Sequence, residues 1–98
     1  MLNDLDKKIL KSDYYENVKL LLKNKADINK PDNNGNTPLI ISINQNNNAI
    51  AKLLLESKSN IEQQNNNGDT ALMISIQQNN DEITNLLLNF MIDADDVQ

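Results

Sequence analysis

Side chains able to do chemistry are few in this chain, and most are carboxylates. Asp4 with Asp6, Asp81 with Glu82 and Asp95 with Asp96 are the pairs nearest to an acid–base couple. Two carboxylates exchange protons or bind metal when they converge in a concave, largely apolar pocket. Pairs at helix starts and near a chain end read instead as solvated ends. Asp32-Asn33-Asn34-Gly35 has the residue types of a calcium loop. It lacks that loop's alternating ligands and closing Glu, so it reads as a turn. Two glycines are too few for a phosphate-cradling loop. The 98 residues include no Cys, so thiolate nucleophiles, disulfides and Cys-ligated metals are excluded. With no His there is no imidazole base or usual zinc ligand, and with no Arg no guanidinium clamp. The expectation is a protein that is not an enzyme and uses no cofactor and no metal.

The charge pattern narrows the partners. The formal net charge is −5, from nine basic and fourteen acidic residues. Residues 1–34 carry seven Lys against six acids, and residues 35–98 two Lys against eight. A nucleic-acid binder shows a dense basic footprint, and here the Lys-rich stretch is diluted by Asp and Glu. Tyr14-Tyr15 reads as packing on Leu2 or Leu5 rather than as a platform for bases. Apolar runs of about five residues fall far short of the roughly 18–20 that a membrane span needs. No nucleic acid and no membrane is expected as partner. The amino-terminal residues lack a signal peptide's order of basic then apolar segments. With no Cys and no Asn-x-Ser/Thr sequon among 19 Asn, a cytoplasmic location is expected.

The elements that would hold these residues come from a 33-residue period. Gly35-Asn36-Thr37-Pro38-Leu39 recurs as Gly68-Asp69-Thr70-Ala71-Leu72. Leu20-Leu21-Leu22 recurs as Leu53-Leu54-Leu55 and as Leu86-Leu87-Leu88. Ser42-Ile43 maps onto Ser75-Ile76, and Ile50 onto Ile83. A fixed period of this length marks a stack of small units. Thr37 and Thr70 suit the N-cap, where a hydroxyl accepts from backbone N–H groups, and Pro38 suits the first helical position. Leu39, Ile40 and Ile43 fall on one side of a short helix, as do Leu72, Met73 and Ile76. The amide runs at 44–48 and 77–80 break these helices. Second helices come after them, with Asn48 and Asp81 at their starts and with Ile50, Leu53, Leu54 and then Ile83, Leu86, Leu87 facing inward. Leu53 and Leu86 are expected to be buried. Asn34-Gly35 and Asn67-Gly68 carry the strongest short hairpin-turn signal. The rival reading, a buried strand at 39–43, competes poorly with the Thr-Pro cap.

These residues resemble ankyrin repeats. Gly35-Asn36-Thr37-Pro38-Leu39 resembles the family's Gly-x-Thr-Pro-Leu start, Ile50-Ala51-Lys52-Leu53-Leu54-Leu55 its second helix, and Ala26-Asp27-Ile28-Asn29 its closing segment. The resemblance implies an all-α ankyrin-repeat solenoid of stacked helix-turn-helix units with hairpin-like turns. It would form a single domain over 1–98, with a degenerate first repeat at about 2–34, a second at 35–67 and a third at 68–98. Leu2, Leu5, Ile9 and Leu10 make an apolar face in the first, with Asp4 and Lys8 as an exposed pair. The family's His after Thr-Pro-Leu is replaced by Ile40 and Met73. Its glycine between helices is Asp13, Asn46 and Asn79; the one after the second helix is Lys25, Lys58 and Met91. Kept at positive φ, each of the latter costs on the order of 1 kcal/mol.

The resemblance implies a protein–protein interaction module or small adaptor with an unknown protein partner. The family's contact positions fall on Lys11 and Ser12, on Asn33, Asn34, Asn36, Asn44 and Gln45, and on Asn66, Asn67, Asp69, Gln77 and Gln78. The alternative is a structural or self-assembling piece of a longer array. Phe90, Met91 and Ile92 replace Ser57, Lys58 and Ser59 of the preceding block. They are expected to fold back as a local cap, giving a monomer, with a homodimer through the same three residues as the other solution. The Asn and Gln content is read as a composition bias ahead of self-association through amide ladders.

Overall fold

The computed structural model describes residues 15–95, with side chains through residue 92. Five helices make up its regular structure, and there is no strand among the described residues. Helix α1 runs over residues 15–23. Then come α2 (Pro38–Asn44), α3 (Asn48–Glu56), α4 (Ala71–Gln77) and α5 (Asp81–Asp95). Within each pair α2 packs on α3 and α4 on α5; between pairs α2 packs on α4 and α3 on α5. The result is two stacked helix hairpins with α1 beneath them.

Local chemistry explains where each helix begins. Thr37 Oγ1 accepts from the Ile40 N–H at 3.2 Å, and Thr70 Oγ1 from Met73 at 3.3 Å. Pro38 takes the first helical position, where its missing N–H has no helical partner to lose. The second helices are capped one residue before Asn48 and Asp81. Asn47 Oδ1 accepts from Ile50, and Asn80 Oδ1 from Ile83, both at 3.3 Å.

Positive φ marks where the helices stop. Asn46 and Asn79 lie at φ 54° and 55°, and Lys25 and Lys58 at 64° and 70°. Met91 departs from the expected pattern. It stays helical, because α5 runs on for fifteen residues where α3 stops after nine. Continuing the helix spares Met91 the left-handed conformation, whose cost to an L-residue Lys25 and Lys58 bear. Phe90, Met91 and Ile92 therefore do not fold back as a cap. Phe90 packs against the core, Met91 is half-buried and Ile92 faces solvent.

The core is aliphatic. Leu39, Ile40, Ile43, Ile50, Leu54 and Leu55 from α2 and α3 join Ala71, Ile74, Ile83 and Leu87 from α4 and α5. Two expectations need correction here. Leu53 and Leu86 are only half-buried, and the next residue in each run, Leu54 or Leu87, points inward. Leu72, Met73 and Ile76 do not form a buried face. Ile40 and Ile43 are 1% and 0% exposed beneath α4, whereas Met73 and Ile76, 33 residues on, are 43% and 56% exposed. Their chemistry is alike; the difference is that no described element lies beyond α4 and α5 to cover them. Leu2, Leu5, Ile9, Leu10, the Asp4–Lys8 pair, Asp13 and Tyr14 lie outside the described residues.

Candidate functional site

The turns that precede α2 and α4 are built alike. Gly35 N–H donates to the Asp32 carbonyl at 3.0 Å, and Gly68 N–H to Asn65 at 2.9 Å. Asp32 Oδ1 accepts from the N–H groups of Asn34 and Asn36, and Asn65 Oδ1 from those of Asn67 and Asp69. These local bonds spend Asp32 on holding its own turn, which is a different role from binding calcium. Gly35 and Gly68 sit at φ 77° and 81°, where a side chain is strained. At Gly35 space is short as well, because a Cβ there would lie 2.7 Å from the backbone N of Asn66.

Amides tie one layer to the next. Asn65 Nδ2 donates to Asn36 Oδ1 at 3.0 Å, and Asn66 Nδ2 to the Asn33 carbonyl at 3.1 Å. Asn80 Nδ2 donates to Asn48 Oδ1 at 3.0 Å, and the Asn60 N–H to Asn29 Oδ1 at 2.7 Å. Partners are 29 to 33 residues apart, so each bond joins neighbouring blocks. Asn alone occurs 19 times in the chain. Their placement gives them a structural role that the count does not reveal, an amide ladder within one molecule.

Beside this ladder the turn tips and the ends of α2 and α4 enclose a groove of about 360 Å³. Eight of the positions expected to make contacts line it: Asn34, Asn36 and Asn44 from one layer, and Asn66, Asn67, Asp69, Gln77 and Gln78 from the other. Asn33 and Gln45 lie outside its lining. Lys11 and Ser12 fall outside the described residues. Asn65 and Ile74 complete the lining, and the repeat pattern did not single them out. A signal for Asn65 exists in the sequence: it occupies the position of Asp32, 33 residues back, at the start of the same Asn-Gly turn.

The groove is polar, with one carboxylate, Asp69, and no cation in its lining. Its amides divide into committed and available groups. Asn65 is committed at both ends, whereas Asn34, Asn67 and Gln77 make no side-chain hydrogen bond among the described residues. Such amides offer donors and acceptors together, which suits an extended peptide's alternating N–H and C=O groups. The pair Asp81 and Glu82 is exposed at the start of α5, where Glu82 accepts from Asn48 Nδ2 at 2.9 Å. No group of three possible metal ligands gathers among the described residues.

Against known proteins, a family model described as ankyrin repeats, in three copies, matches residues 8–97. The chain belongs to the ankyrin-repeat family. No curated protein gives a match. Ankyrin repeats are in general protein–protein interaction modules and are typically non-enzymatic. The all-helical architecture, with its paired helices and connecting turns, is that of an ankyrin solenoid. No helix among the described residues is long and apolar enough to cross a membrane.

Proposed function

We propose that this ankyrin protein is an interaction module or small adaptor that holds a segment of a partner protein in the carboxamide groove. Its repeats are placed at about 2–34, 35–67 and 68–98. The observation that carries this reading is the convergence of uncommitted amides from two layers, Asn34 with Asn67 and Gln77, on one groove. Aromatic and Arg anchors dominate most tight interfaces, and this groove has neither in its lining. The partner therefore supplies the anchors, and affinity is modest. A cytoplasmic setting fits the absence of Cys and of sequons.

The test compares the wild-type chain with an Asn34→Ala/Asn67→Ala/Gln77→Ala variant as bait in extracts of the source cell, with captured proteins quantified by mass spectrometry. All three side chains are exposed. The variant should unfold within about 0.5 kcal/mol of wild type per site, the scale of ordinary surface changes. A partner captured by wild type and lost by the variant supports the groove. Equal capture by both places the interface elsewhere. A second reading, a structural piece of a longer array, draws on the uncovered apolar residues Met73 and Ile76. That reading predicts no dedicated partner for either bait.

A further inference from the structure

The carboxamide groove holds one charge that no described residue answers. Asp69 is half-buried in its lining. The backbone N–H and carbonyl of Asp69 are bonded to Asn65, but its carboxylate makes no hydrogen bond among the described residues. No Lys lines the groove. Asp32, at the start of the preceding turn, differs, because its Oδ1 already accepts from the N–H groups of Asn34 and Asn36.

This charge does not depend on what lies beyond α4 and α5. Asn36 stands one block before Asp69, and its side-chain oxygen accepts one bond from the next layer, from Asn65. A carboxylate has about four lone-pair sites. A bond of that kind from any further layer would leave most of them, and the charge itself, to the groove.

The rest of the lining narrows the anchor that Asp69 can take. Asn66 and Gln78 donate through their amide nitrogens, to the Asn33 carbonyl and to Asn44 Oδ1, and their side-chain oxygens accept nothing among the described residues. Ile74 is the single apolar residue among those that line the groove, and it is 6% exposed. Trp, Tyr and Arg are the usual interface anchors. A Trp or Tyr ring gains affinity by burial against apolar surface, which this lining lacks. An Asp or Glu meets a like charge. A guanidinium fits, because its planar fork pairs both oxygens of one carboxylate and its remaining N–H groups suit amide oxygens such as those of Asn66 and Gln78. An ammonium pairs as a point charge, without the fork's two parallel bonds. The chain itself has no Arg, so the anchor comes from another protein and not from a second copy.

We infer, resting on the groove reading above, that the partner's segment is recognised through an arginine that pairs with Asp69. The uncommitted carboxamides of the two layers bond the segment's backbone, and an acidic residue at the arginine's place is repelled.

Selection from a random-peptide library displayed on phage, with the 98-residue chain as bait, tests this. A parallel selection uses an Asp69→Asn variant, which keeps the turn because Asn36 stands at the same place one block earlier. The expected result is an Arg at one position of the peptides enriched on wild type and no such Arg on the variant. Amide NMR shifts of the chain on adding an enriched peptide should fall at residues 33–36 and 66–69 and at the ends of α2 and α4. Replacing the Arg by citrulline, which keeps the shape and removes the charge, should weaken binding about tenfold or more, the scale of a hydrogen bond to a charged group. Lys in its place should restore only part of the loss. Groove-bound peptides without a selected Arg, equal affinity for the citrulline or Lys peptide, or the same selection by Asp69→Asn overturns the inference and leaves the groove reading standing. Shifts confined to other surfaces, or no enriched peptide at all, overturns both.

Discussion

Gly35 and Gly68 occupy the same place in successive turns, yet they do not carry the same constraint. Both have positive φ, which costs an L-residue about 1–2 kcal/mol. At Gly68 nothing lies within 4 Å of where a Cβ would stand, whereas at Gly35 the backbone of Asn66 does. Gly68→Ala should therefore destabilise by about 1 kcal/mol, from backbone strain alone. Gly35→Ala should cost clearly more, because it also pushes apart the layer contact in which Asn66 N–H donates to the Asn34 carbonyl at 3.0 Å. Urea unfolding of the two variants checks this, and equal losses would mean that the layer contact at Asn66 contributes little. Residue-level chemistry is partly legible in the sequence. The two Thr caps, Pro38 and the Asn-Gly turns arise from local rules acting over three or four residues. The amide pairs are not legible in that way. Asn65 and Asn36 are 29 residues apart, and only the stacking of layers brings them together.

In α3 and α5 the middle member of the Leu triplet is buried, joined in α3 by Leu55, whereas Leu21 of α1 is 57% exposed. Leu54 is 2% exposed and Leu87 0%, whereas Leu53 and Leu86 are half-buried. Leu54→Ala should cost about 2–5 kcal/mol, as a large-to-small change in a packed core does. Leu53→Ala should cost roughly 1 kcal/mol, in line with partial burial. Thermal or urea unfolding distinguishes the two, and a larger loss at Leu53 would reverse the register assigned to α3. Sequence spacing alone leaves this ambiguous, because three consecutive Leu satisfy a helical face in more than one rotation. Helix ends show a similar limit. Asn46, Asn79, Lys25 and Lys58 take the left-handed conformation that the family's glycines at these positions imply. Met91 stands at the same place in the period and stays in the helix. The period marks where a stop can fall, but a non-glycine residue there does not fix the outcome: the chain turns at Lys25 and Lys58 and stays helical at Met91.

At the scale of the whole molecule, stacking converts identical local chemistry into different exposures. Ile43 and Ile76 have the same neighbours in sequence type, yet one is buried and the other faces solvent, because a layer covers only the first. The 33-residue period makes the layered architecture readable, and eight of the positions that the family resemblance implied line one groove. It gives no warning of the exposed end, since burial there depends on whether another layer lies against it. Amides link the layers, and Met73, Ile76 and Leu88 are exposed where no described layer lies against α4 and α5. The groove lies along the linked part, where the ladder holds the two turn tips at fixed separation.

The central claim, that a partner protein lies in this groove, is tested most directly by hydrogen–deuterium exchange of the chain with and without the partner that it captures. Slowed exchange is expected at the turn tips, residues 33–36 and 66–69, and at the ends of α2 and α4 around Asn44 and Gln77, with α3 unchanged. Protection centred on the outer surface of α3 and α5, with the turn tips exchanging as in the free chain, would contradict it.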